Sequence, residues 1–338
     1  MNPQALAGLW IALTSAAAFG FSGPMAKAML EAGWSPGATV LVRIGAAALV
    51  LAVPAVRQLR SRPRMSPAAL RTLVLFGAFA VAGVQLAFFN AVQTLDVGVA
   101  LLLEYLGTVL VVGYVWARTR KRPSAAVGLG VALSLAGLVF VLDLTGATMP
   151  DPVGVGWGLL AAVGLAAYFV IGGQADDDLP PFVLAAGGLG VGAVTLGLAG
   201  LVGAVDLTFT THRTTLAGWG VPWWLPLTIL VLVPTVLAYV TGVAASGRLG
   251  ARLASVTGLT EVLFAVLASW ALLDQWPGPM QLIGGVLIVA GVVVIRRYES
   301  SEQAHPESLG GMLVEGDRLG APGLASQQVN DRVGEVRA

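Results

Sequence analysis

The chain has no cysteine in its 338 residues. That excludes disulfides, thiolate metal sites and thiol nucleophiles. Charge is scarce as well. Asp, Glu, Lys and Arg make up 11% of the residues, where a soluble globular domain carries roughly 25%. Histidine is nearly missing, and His212 and His305 both fall outside the apolar stretches. No HExxH-like pair occurs, and Asp176-Asp177-Asp178 has no second acidic cluster to share a diphosphate and magnesium. These gaps remove the chemistries an intramembrane enzyme would need, so no catalytic residue, metal or cofactor is implied. No Lys or Arg precedes Lys27, so the basic start of a cleaved signal peptide is missing and the first apolar stretch is expected to stay as a helix.

What the chain has instead is apolar length. Hydrophobic residues make up 57%, and the mean hydropathy is +0.83. A membrane span needs about 20 mostly apolar residues to cross a ~30 Å hydrocarbon layer. Ten such stretches are present: 6–30, 36–56, 71–93, 97–117, 125–143, 153–173, 181–204, 222–245, 249–273 and 279–295. Backbone polar groups must be satisfied internally in lipid, so each is expected to be helical. The expected fold class is an all-α polytopic membrane protein with ten transmembrane helices.

Basic residues orient these spans. With the N-terminus inside, the inner loops and tail hold sixteen Lys and Arg and the outer loops only Arg213. This asymmetry places both termini on the cytoplasmic side. It also accounts for the inner arginines without nucleic acid. Trp34, Trp219, Trp223, Trp224 and Trp276 are expected in the outer loops, as an interfacial belt would be.

The chain also repeats itself. Leu95–Val141 and Leu249–Ile295 align at a shift of 154, each as two apolar stretches joined by a short polar link. The first link is Arg118-Thr119-Arg120-Lys121-Arg122 and the second is Asp274-Gln275-Trp276-Pro277-Gly278. Opposite link charges imply opposite orientations. Two inverted halves of five spans are therefore expected, residues 1–146 and 147–298, followed by a polar, disordered tail at 299–338. Inverted repeats of this kind build many secondary transporters.

Particular residues carry a family likeness. They are Gly20-Phe21-Ser22-Gly23-Pro24-Met25-Ala26-Lys27 in span 1, Arg43 in span 2, and Thr260-Glu261-Val262-Leu263-Phe264-Ala265 followed by Leu272-Leu273-Asp274 and Leu282-Ile283-Gly284-Gly285. On these the chain resembles the drug/metabolite transporter superfamily, specifically EamA-type permeases. Glu104-Tyr105-Leu106-Gly107 is similar to a pattern of the threonine/homoserine exporter branch. The resemblance implies a secondary active transporter in the plasma (inner) membrane. It would move a small polar metabolite, an amino acid or a related compound, by alternating access, with protons as a possible coupling ion. A multidrug or sugar/nucleotide carrier is the alternative within the superfamily. A channel or a structural membrane protein is the competing class.

An ionisable group inside a span costs at least ~2.5 kcal/mol, so it needs a reason. Lys27 ends span 1, Arg43 and Glu104 each lie seven residues into theirs, and Glu261 lies near the middle of span 9. Glu104 aligns with Gly258, one helical turn from Glu261. The two acids are thus expected in one region of the repeat interface, where at least one binds a substrate ammonium or takes up a proton. Arg43 and Lys27 could then attract a carboxylate. The competing reading is buried ion pairs, such as Arg43 with Glu104, that only orient helices. Gln85, Asn90, Tyr168, Gln174, Tyr239, Thr257 and Thr260 form a second tier, for substrate contact or interhelical hydrogen bonds. Pro24 and Pro234 are expected to kink spans 1 and 8. Gly128, Gly130, Gly137, Gly284, Gly285 and Gly291 are expected at close helix contacts.

Overall fold

The apolar stretches are helical in the computed structural model, which describes residues 3–60, 65–120, 123–141, 150–172 and 179–303. In chain order the helices are α1 (Pro3–Gly20), α2 (Ser22–Glu31), α3 (Pro36–Arg60), α4 (Pro67–Leu75), α5 (Val84–Thr94), α6 (Val97–Tyr105), α7 (Gly107–Thr119), α8 (Ala125–Val141), α9 (Pro152–Gly172), α10 (Pro181–Leu201), α11 (Trp224–Val231), α12 (Ala238–Gly258), α13 (Glu261–Leu273) and α14 (Pro279–Gln303). Wider π-helical turns at Phe76–Gly83 and Leu232–Leu237 join α4 to α5 and α11 to α12. Among the described residues, seven helical stretches are long and apolar enough to cross a membrane, and three more at Ala125–Val141, Glu261–Leu273 and Pro279–Ile295 are apolar but shorter. A disordered tail is expected from 299, but α14 stays helical to Gln303, and the rest of that stretch, from 304 onward, lies outside the described residues.

The repeat is visible in the backbone itself. Leu106 (φ −61°, ψ −14°) and Thr260 (φ −65°, ψ −13°) both interrupt a span and start 13-residue helices, α7 and α13. Those helices end in left-handed residues at Arg120 (φ 58°) and Asp274 (φ 57°). The helices that follow begin at Ala125 and Pro279. Each pair is separated by the same 154 residues as the aligned segments, although the paired residues differ. The conformation is therefore set by the way each span bends, not by the identity of the residue at the bend. Span 9 differs from expectation at its start. No break separates it from span 8, and α12 runs unbroken through 245–249 to Gly258, in a stretch that holds no proline.

Glycines bring the two halves together. A Cβ on Gly137 would lie 2.6 Å from the Gly284 carbonyl oxygen, and one on Gly284 would lie 2.6 Å from that of Gly137. Gly130 and Gly291 oppose each other in the same way. As numbering rises along α8 it falls along α14, so these repeat-related helices cross antiparallel. The α3–α10 pair behaves alike, with Gly45 against Ala193 and Gly190 against Ala48. Removing Cβ lets such backbones approach, which is how helices pack where lipid offers no hydrophobic drive. Gly128 departs from the expected role, since a Cβ there would meet nothing within 4 Å, and Gly285 faces only the Leu102 side chain.

One loop is more built than its sequence suggests. Thr214–Leu216 and Trp219–Val221 pair as a two-stranded antiparallel hairpin, turned by Ala217 (φ 51°) and Gly218 (φ 77°). Positive φ at both central residues matches the twist that a two-residue hairpin needs. The preceding stretch lies on the α2–α3 turn. Trp34 Nε1 donates to the Thr210 carbonyl at 2.8 Å, and the Ser35 hydroxyl donates to the Asp206 carbonyl at 2.7 Å. Trp34 is consequently buried against Phe209 and Trp223, not free at an interface as expected. Trp219, Trp224 and Trp276 are exposed.

Candidate functional site

Four bent segments supply the site. Pro24 sits two residues past the Gly20–Ser22 interruption that divides α1 from α2, at the expected kink. A Cβ on Gly20 would lie 2.8 Å from the Ala265 backbone nitrogen, so this kink rests directly on α13. Leu106 and Thr260 bend spans 4 and 9. The fourth bend is the π turn that contains Pro234. Proline has no N–H, so the Leu230 carbonyl one turn back loses its helical donor. The Thr235 hydroxyl replaces it, donating to Leu230 O at 2.9 Å.

Thr235 in turn receives Arg43. The Arg43 Nε donates to Thr235 Oγ1 at 2.8 Å, Nη2 reaches the Pro234 carbonyl at 3.5 Å, and the guanidinium lies 5.4 Å from the Phe89 ring centroid. Arg43 is only 4% exposed. Among the described residues its hydrogen-bond acceptors are neutral, so the Arg43–Glu104 ion pair of the competing reading is not formed there. Glu104, Glu261 and Tyr239 are still close enough for their charge or dipole to act on it.

The two acids are built differently. Glu261 is the first residue of α13, where free N–H groups and the helix dipole favour negative charge. It also accepts a hydrogen bond from the Tyr105 hydroxyl at 3.2 Å. Glu104 lies in the last turn of α6, at the unfavourable end of that dipole. Its chain neighbours 101–103 and 105–108 are all buried while Glu104 is half-buried, so Glu104 is the accessible residue of this stretch. No hydrogen-bond donor meets it among the described residues. One turn further on, the Thr108 hydroxyl is buried without a hydrogen-bond partner among the described residues, and so, on α5, is the Gln85 amide oxygen. Buried polar atoms are nearly always hydrogen-bonded, so such orphans call for an explanation.

Aromatic pairs lie near Arg43 and Glu261. Tyr239 packs on Phe19 with centroids 5.5 Å apart, and Tyr168 packs on Phe76 at 5.0 Å. Tyr239 lies near Tyr168 and Glu261. The structure thus brings together Arg43, Glu104, Glu261, Tyr168 and Tyr239. Thr235, Thr108, Tyr105 and Phe89 join them and were not singled out in the sequence. A threonine directly after an intramembrane proline is the one signal that could have found Thr235.

Other candidates have local duties. Lys27 Nζ donates to the carbonyls of Val92, Gln93 and Leu95 at 2.6, 3.2 and 3.4 Å. It completes the C-terminal end of α5, where free carbonyls attract a cation. Asn90 donates to the Leu86 carbonyl of its own helix. Thr260 donates to the Thr257 carbonyl within the bend. Gln174 lies outside the described residues. Lys27→Met is accordingly expected to lower stability by about 1 kcal/mol, the low end of the cost of leaving acceptors unmet, because these carbonyls are only partly buried. Thermal unfolding in detergent reads this, and an unchanged midpoint would dismiss the capping role.

Comparison with known proteins places this architecture. The model of the EamA-like transporter family matches residues 6–143 and again 152–297. A solved structure, described only as "Crystal structure of protein", superposes with a TM-score of 0.53 at 21% identity, covering 83% of this chain and 98% of its own. No curated protein matches the sequence.

Proposed function

From the chain's membership of the EamA-like transporter family, matched over both halves, we propose that it is a secondary active transporter for a small polar metabolite that carries an ammonium group, an amino acid or a related compound. Two inverted halves of five spans, 1–146 and 147–298, rock about the central cluster, with both termini on the cytoplasmic side of the plasma (inner) membrane. The antiparallel α8–α14 and α3–α10 crossings support the inversion, since each joins repeat-related helices by exchanged contacts.

The observation that carries this reading is Glu104. A carboxylate in an apolar helix, with no hydrogen-bond donor among the described residues and with Glu261 as well as Arg43 close enough to act on it, is suited to receive a cation. A substrate ammonium or a proton can fill that role, and competition between the two would couple their movements. Arg43, fixed by Thr235 and Pro234, supplies a positive pole for a substrate carboxylate. Tyr168 and Tyr239 supply faces and hydroxyls for the remainder. Lys27 and Asn90 hold helices, and Glu261 stays attached to Tyr105.

Purified protein in proteoliposomes, offered labelled amino acids with and without a proton gradient, tests the proposal. Saturable, gradient-driven flux of an amino acid is expected. Unsaturated ohmic flow would make the protein a channel. Flux of hydrophobic cations or sugars with none of amino acids would place it among the other carriers of its superfamily.

A further inference from the structure

A cavity adjoins the central cluster from the side of the bundle, with Thr260 and Val262, the neighbours of Glu261, in its lining. It measures ≈ 640 Å³ and opens between α6, α13 and α14, within the ~300–1,000 Å³ range of ligand pockets. Its two ends differ in chemistry. Asp96, Gln275 and Gln281 line it at the level of the 274–278 link, and Leu267, Val286 and Val293 line the rest, with no basic residue in the lining. Leu267 and Val286 are 51% and 69% exposed, so the apolar part is open at the side of the bundle, where lipid lies.

Three details argue against a mere packing gap. Ser269 lines the cavity, is 2% exposed, and its hydroxyl has no hydrogen-bond partner among the described residues. The Gln275 amide oxygen accepts from the Val97 N–H at 3.3 Å, and that of Gln281 accepts from the Gly278 N–H at 3.0 Å. Each amide is thereby oriented by its oxygen, leaving its –NH₂ to donate elsewhere. Asp96 precedes α6 without capping it. Lys27, a cation close enough to Asp96 to interact with it, is held by three carbonyls.

We propose that this cavity binds one phospholipid with an amine-bearing headgroup, phosphatidylethanolamine being the probe. Asp96 meets the ammonium, the Gln275 and Gln281 amides meet phosphate oxygens, Ser269 meets the glycerol ester region, and an acyl chain fills the apolar part. An anionic headgroup without an amine gains nothing from Asp96 and is repelled by it. This site is independent of the transport reading.

Native mass spectrometry of the full chain in detergent tests it, with phosphatidylethanolamine or phosphatidylglycerol of matched chains added after delipidation. Wild type is expected to bind the first about tenfold more tightly, the factor expected for one charge-assisted contact. Asp96→Asn should erase that preference yet keep binding. Val286→Trp, placed on an exposed wall where bulk is tolerated, should abolish binding of both lipids, and Leu267→Trp repeats the test if the first variant expresses poorly. Equal binding of the two lipids by wild type, or binding unaffected by the tryptophan variants, overturns the proposal. So does a mass of two chains that Val286→Trp reduces to one, because the groove would then be an interface between copies.

Discussion

Glu104→Gln is expected to cut substrate flux roughly 30-fold or more, the effect of losing a desolvated charge partner worth at least ~2 kcal/mol. Glutamine keeps the volume of the side chain and removes the charge. Because Glu104 has no hydrogen-bond donor among the described residues, its loss breaks no internal bond, and folding should survive. Intact thermal stability with lost flux is therefore the signature. Glu104→Asp should recover part of the flux at a raised KM, since the charge returns on a shorter stem. Glu261→Gln should behave differently. It weakens the Tyr105 bond and the charge at the start of α13, so stability and flux fall together. Wild-type flux in Glu104→Gln would remove the residue from the pathway, and the function would have to rest on Arg43 and the tyrosines.

Gly137→Leu carries the largest expected cost to stability. Its first side-chain atom would lie 2.6 Å from the Gly284 carbonyl oxygen and 2.8 Å from the Ile288 backbone nitrogen. Backbone atoms cannot rotate aside, so α8 and α14 must separate, and overpacking of this kind costs about 3 kcal/mol. The crossing is two-fold in character, so separating it at Gly137 also loosens the Gly130–Gly291 contact. Little folded protein should survive size-exclusion chromatography in mild detergent. Gly128→Leu is the internal control, on the same helix but facing open space, and should run like wild type. Equal behaviour of the two variants would mean that α8 and α14 do not meet at these glycines.

Much of this was legible in the chain. Apolar length marked where helices lie, because lipid leaves the backbone no other partner. The 154-residue repeat marked two copies of one hairpin, and Pro24 and Pro234 anticipated two interruptions, while the paired bends at Leu106 and Thr260 were not read from it. The expense of charge in a span singled out Glu104, Glu261, Arg43 and Lys27. Other expectations met limits of local pattern. Gly128 resembles Gly130 in sequence, but it faces the other way on the helix. Trp34 reads as an interfacial residue until the loop from α10 covers it. Thr235 is unremarkable until its neighbour, Pro234, strips Leu230 of a donor.

The four charges mark where sequence stops and tertiary structure begins. Hydropathy and periodicity are properties of neighbouring residues, so the sequence by itself determined that each charge sits in an apolar helix and therefore needs a partner. Which partner it found is a matter of helices meeting. Lys27 bonds carbonyls 65 or more residues away, Arg43 bonds a threonine 192 residues away, and Glu261 bonds a tyrosine 156 residues away. Only the packed bundle distinguishes these three hydrogen-bonded groups from Glu104, which has no hydrogen-bond donor among the described residues and so gives the proposed site its chemistry.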